Sequence, residues 1–109
     1  LKVSPNSKLV PEEKSFFFFT SVGNYTGSRA ASLKEFLQKI NEINIKSLEF
    51  HAQRGDFEKW IKEVLGDADL ARDIKNLSGL NLSGENLRNR IYSVVSRKIR
   101  FFNYQSERD

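Results

Sequence analysis

The sequence predicts a mainly α-helical, compact single domain of four to five short helices, preceded by a short aromatic segment that suits a β-hairpin. Three observations carry this. From Ser32 onward apolar residues recur at the three- and four-residue spacing of one helix face. Glycine followed by aspartate, at 55–56 and again at 66–67, reads as helix stop followed by helix start. At 109 residues with nine phenylalanines, the chain supports one core and little more.

Residues 1–15, LKVSPNSKLVPEEKS, are polar, hold both prolines and show no sustained period, so they read as an extended tail or linker that packs on a partner. The domain then spans 16–102. SFFFFTSVGNYTGSRA begins it with an apolar aromatic run leading to Gly23-Asn24, which suits a buried strand entering a tight hairpin turn. Helix is the rival reading. Ser32 with Glu35 forms a capping box for a first helix, which buries Leu33, Phe36, Leu37 and Ile40 and ends near 41–44. A second helix covers 45–54 and stops at Gly55. Asp56 reads as the N-cap of a third, on which Phe57, Trp60, Ile61 and Val64 face inward. A fourth runs from about 68 to 77 on Leu70, Ala71, Ile74 and Leu77. SGLNLSGENL is a loop in which Leu82 packs back on Leu87, and the longest helix follows over roughly 84–102, leaving 103–109 as a C-terminal tail.

Composition excludes several functions. Without cysteine there are no disulfides, thiolate metal sites or cysteine nucleophiles, and a reducing cytoplasm fits best. No apolar run reaches the roughly 20 residues of a membrane span, so no membrane partner is expected. The phenylalanine run at 16–19 is too short for a signal peptide. The chain opens on Leu1 and contains no methionine, which points to part of a longer polypeptide. A net charge of +4 is a mild bias that favours an anionic partner only if the cations cluster.

The only histidine, His51, lies close to the only tryptophan, Trp60, with Asp56 between them. A catalytic reading makes His51 a general base oriented by Asp56. It lacks partners: no serine sits in a glycine elbow, no glycine-rich phosphate loop occurs, and one histidine with dispersed carboxylates makes no metal site. A structural corner explains more, with His51 satisfying a carbonyl or carboxylate at a helix end, Asp56 capping and Trp60 anchoring the core. No cofactor, metal or small-molecule substrate is expected.

The same stretch resembles a family of small domains of unknown function, common in archaea. Its pattern runs aromatic-His, Asp-Phe, Trp-Ile, Gly-Asp and Leu-Ala, met here by Phe50, His51, Asp56, Phe57, Trp60, Ile61, Gly66, Asp67, Leu70 and Ala71. FFFFTSVGNYTGSRAASLKEF fits the family's opening, so the likeness covers about 16–98. It implies a shared fold and an archaeal source. It carries over no activity and no catalytic residue.

In the last helix Leu87, Ile91, Val94, Val95 and Phe102 share one arc, while Arg90, Arg97 and Arg100 fall opposite. Lys98 lies within the apolar arc, so the last turns outgrow the core and leave Ile99, Phe101, Phe102 and Tyr104 seeking a partner. Cations near a helix C-terminus complement its dipole, and guanidinium groups interleaved with aromatics equally suit phosphate pairing and base stacking. The expectation is a non-catalytic binding module. Its preferred partner is RNA within a ribonucleoprotein such as a ribosome, held by Arg90, Arg97, Lys98 and Arg100. The alternatives are a protein adaptor using Phe101, Phe102 and Tyr104, or an enzyme using His51 and Asp56.

Overall fold

The computed structural model describes residues 5–108, with side chains described over 5–101. Strands β1 (Phe16–Ser21) and β2 (Asn24–Ala30) form an antiparallel hairpin. Phe16 pairs with Ala30, Phe17 with Arg29, Phe19 with Tyr25 and Ser21 with Asn24, with irregularities between these pairs. The hairpin reading of the aromatic segment holds. Its turn lies one residue earlier than the sequence reading placed it, at Val22-Gly23, because a single glycine at φ +79° reverses the chain and frees Asn24 to pair with Ser21. Strand alternation sends Phe16 and Phe18 into the core and leaves Phe17 and Phe19 half-buried on the outer face, against Tyr25.

Five helices follow: α1 (Leu33–Glu42), α2 (Ile45–Arg54), α3 (Asp56–Glu63), α4 (Ala68–Asn76) and α5 (Gly84–Arg108), with a short 3-10 turn at Leu77–Leu80 after α4. Side chains start most of them. Ser32 Oγ accepts from Glu35 N–H at 3.1 Å, while Glu35 reaches back to Ala31 N–H, one residue before the usual capping-box partner. Asn44 caps α2 and Asp67 caps α4, the latter accepting from Leu70 N–H at 3.0 Å. The entry to α5 takes its acceptor from another element, since Gly84 N–H donates to Glu49 of α2. The helical backbone of α5 continues past the expected end at 102, through most of the segment read as a C-terminal tail.

The core is aromatic at its centre. Phe16 packs against Phe18, Phe36, Phe57 and Trp60 with ring centroids 4.8–5.8 Å apart. Phe18, Phe36 and Phe57 are wholly buried, each contributing on the order of 1.5–3 kcal/mol by burial. Leu87, Ile91 and Val95 seat α5 against this core, and α5 touches α1, α2 and α4. Ile99 also packs on the core, so the helix does not leave its own domain where the sequence reading had it do so.

Residues 5–15 are likewise part of the domain. They form 3-10 turns at Pro5–Ser7 and Glu12–Lys14 and are tied down by Val10 N–H to Ala31 O at 2.8 Å, Glu12 to Arg29 at 2.8 Å, and Trp60 Nε1–H to Lys14 O at 2.8 Å. The linker expectation is corrected for these residues. The partners of this segment are the chain's own α1, α3 and hairpin, which no local sequence signal reveals.

Candidate functional site

The His51 corner is built from three elements. α2 delivers His51 in its last turn, Gly55 at φ +74° closes α2 and opens α3, and β1 passes alongside. Phe19 N–H donates to His51 Nε2 at 2.8 Å, and His51 Nδ1 lies 2.8 Å from Asp56 Oδ2. An amide donor on Nε2 fixes the tautomer: Nε2 holds the lone pair, and Nδ1–H donates to the carboxylate. The ring is 4% exposed and packs edge-on against Phe16. Burial, the largest cause, pushes the imidazole below its ordinary 6.5; the Asp56 hydrogen bond and charge pull it back up, and Arg54 adds to the lowering. His51 is held neutral with both nitrogens engaged. Proton transfer at Nε2 would first require breaking the bond to β1.

Asp56 does not cap α3. Because one residue separates α2 from α3, Gly55 takes the N-cap position and Asp56 lies in the first helical turn, where its carboxylate bridges His51 and Arg54 Nε at 3.2 Å. The Arg54 guanidinium in turn covers Phe50 at 5.0 Å. Trp60 is the anchor the sequence suggests, stacked on Phe36 and bonded to Lys14 O. Beside this corner the outer face of β1 forms an open, mainly apolar groove of about 460 Å³, floored by Phe17, Phe19, Phe50 and Trp60. Strand alternation is the sequence signal for Phe17 and Phe19; Phe50 from α2 and Trp60 from α3 join them only through tertiary packing.

The second feature is the outer face of α5. Arg90 and Arg97 are seven residues apart, so they lie within about 20° of one another around the helix axis, and Arg100 is within about 80°. All three are exposed and make no ion pair or hydrogen bond among the described residues. The other described arginines are committed: Arg29 to Glu12, Arg54 to Asp56, Arg72 to Asp69, and Arg88 to Glu85 and the Ile40 carbonyl. Lys98 is committed too, at 3.2 Å from Asp67, which explains a cation inside the apolar arc. Phe101, one turn beyond Arg97, is 60% exposed. The side chains of Phe102 and Tyr104 lie outside the described residues.

Among the described residues no group of three or more histidine, cysteine, aspartate or glutamate side chains is placed to hold a metal ion. No described helix is long and apolar enough to cross a membrane.

The molecule is therefore a small helical domain built on an aromatic hairpin, with a histidine-locked corner and a basic outer helix. It belongs to the family of unknown function DUF5752, which it matches over residues 1–96. No curated protein and no solved structure matches it. The matched span takes in residues 5–15, the groove and Arg90, while Arg97, Lys98, Arg100 and Phe101 lie beyond it.

Proposed function

We propose that the domain is a non-catalytic binding module that holds RNA of a ribonucleoprotein on the outer face of α5. One observation carries this reading: Arg90, Arg97 and Arg100 are the described arginines with no carboxylate partner, and they share one exposed face. The ordinary structural use of such cations is to complement the carbonyl end of the helix. That effect falls off within the last turn. With α5 running to Arg108, all three lie well before that turn, so the dipole leaves them unexplained. Guanidinium groups free of internal partners pair readily with phosphate oxygens, and the release of condensed counterions supplies much of the affinity. His51 and Asp56 take no part, since their bonding capacity is spent on the β1–α2–α3 corner.

The test is fluorescence anisotropy with short single-stranded RNA at low salt, comparing the wild type with the triple variant Arg90→Gln, Arg97→Gln, Arg100→Gln. The expected result is loss of binding with an unchanged cooperative melt, because the three side chains are exposed and make no hydrogen bond or ion pair among the described residues. Equal binding by the variant would refute the proposal. A protein-adaptor reading is favoured by one observation, the 60% exposure of Phe101. It predicts a partner retained through high salt and nuclease and lost with Phe101→Ser.

A further inference from the structure

The RNA face adjoins a concavity that the arginines alone do not account for. Asp73 and Asn76 from α4, with Val94, Arg97, Lys98 and Phe101 from α5, line a pocket of about 380 Å³. This lies within the range of roughly 300–1,000 Å³ typical of small-ligand clefts. Its parts have separate chemistries. Phe101 offers an exposed ring and Val94 a half-buried apolar floor. Arg97 belongs to the unpaired stripe, and Lys98 is already neutralised by Asp67. Asp73 is exposed and makes no ion pair among the described residues. A free carboxylate beside a phosphate-binding face repels the backbone, and it favours binding only where the strand itself brings hydrogen-bond donors.

We propose that this pocket receives one unpaired guanine of the bound strand, an inference that rests on the RNA reading of α5. Sequence-specific RNA recognition targets splayed single-stranded bases, stacked on an aromatic ring and hydrogen-bonded at their edges. An ionised carboxylate only accepts. Guanine is the base whose Watson–Crick edge presents two adjacent donors, N1–H and N2–H, for the two oxygens of Asp73. Cytosine and adenine each set one amine beside a ring acceptor, and uracil sets its N3–H between two carbonyls that a carboxylate repels. Phe101 stacks on the base, Arg97 meets the adjoining phosphate, and Asn76 has both donor and acceptor to offer the rest of the base edge. A bidentate pair of this kind discriminates by about five- to tenfold or more.

The experiment measures the binding of two labelled oligonucleotides, an eight-uridine strand and the same strand with one central guanosine, to the wild type, Asp73→Asn and Phe101→Ala. Both substituted side chains are exposed, and a thermal melt checks each fold. The expected result is that the guanosine strand binds wild type at least about fivefold more tightly. Asp73→Asn should abolish that ratio while all-uridine binding holds or rises, and Phe101→Ala should weaken the guanosine strand more than the all-uridine strand. Equal binding of the two strands by wild type, with the arginine-dependent affinity intact, overturns the pocket and leaves the RNA reading standing. A uniform rise for both strands in Asp73→Asn at an unchanged ratio shows a merely repulsive carboxylate and also overturns it. Binding of neither strand overturns the pocket and the RNA reading together.

Discussion

Replacing His51 with alanine tests the corner most severely. The substitution removes the acceptor of Phe19 N–H, a part-buried amide, at a cost of about 1–3 kcal/mol. It also removes a ring that is 4% exposed and packed against Phe16 and Phe57, worth roughly another 1 kcal/mol. Asp56 loses its imidazole donor but keeps Arg54 and some solvent, so its share is small. The total is about 3 kcal/mol, or a fall in melting temperature of roughly 12–20 °C for a domain of this size. Urea unfolding followed by the fluorescence of Trp60, the only tryptophan, measures it. A loss below about 1 kcal/mol would refute the reasoning, because it would mean that β1 does not depend on the imidazole. RNA affinity of the folded variant should be unchanged. The same bonds fix a pH dependence. Well above 6.5 His51 is neutral whether folded or unfolded, and its contribution is complete. Below 6.5 the unfolded chain takes up a proton that the folded chain resists, so stability falls until pH reaches the depressed folded value. The stability gap between wild type and His51→Ala should therefore narrow on acidification through this window. A constant gap would contradict a neutral, buried imidazole.

Trp60→Phe keeps the stacking on Phe36 and loses the bond to Lys14 O, so residues 5–15 should become susceptible to limited proteolysis at a cost of about 1 kcal/mol; an unchanged digestion pattern would count against their docking through Trp60. Gly55→Ala places a Cβ at φ +74° and should lower stability by about 1–2 kcal/mol in urea unfolding, whereas Gly79→Ala, with open space and no positive φ, should be near neutral. Lys98→Met removes a partly exposed ion pair and should cost under about 1 kcal/mol in the same assay, with most of the RNA affinity retained because Lys98 is engaged with Asp67.

Much of this fold was legible because it is punctuated locally. Ser32, Gly55, Gly66 and Asp67 announce helix ends through their own backbone and side-chain chemistry, and the α2 bounds follow from them. Phe57, Trp60, Ile61, Leu70 and Ala71 are core residues that helical periodicity identifies. Partners supplied from a distance were not legible. The Lys14 carbonyl reaches Trp60 across 46 residues, Arg88 reaches Ile40 O across 48, and Glu49 reaches Gly84 N–H across 35. Asp56 was misread because its sequence position suits a cap equally well, and only the position of Gly55 turns its carboxylate to His51. At the candidate interface the azimuths of Arg90, Arg97 and Arg100 could be read from spacing, but their lack of internal partners could not. Lys98 is counted among the RNA contacts by charge although its azimuth lies within the apolar arc, and its ion pair with Asp67 is a tertiary contact that spacing does not reveal.

The account rests on three arginines meeting phosphate, and the salt dependence of RNA binding measures that number. For single strands the logarithm of the binding constant falls with the logarithm of salt concentration at about 0.7 per neutralised phosphate, so three contacts predict a slope near −2. Raising salt from 50 to 200 mM should then weaken wild-type binding about twentyfold. Binding that is flat across this range, or a slope unaltered by the triple glutamine variant, would contradict the assignment of α5 as the RNA-binding face.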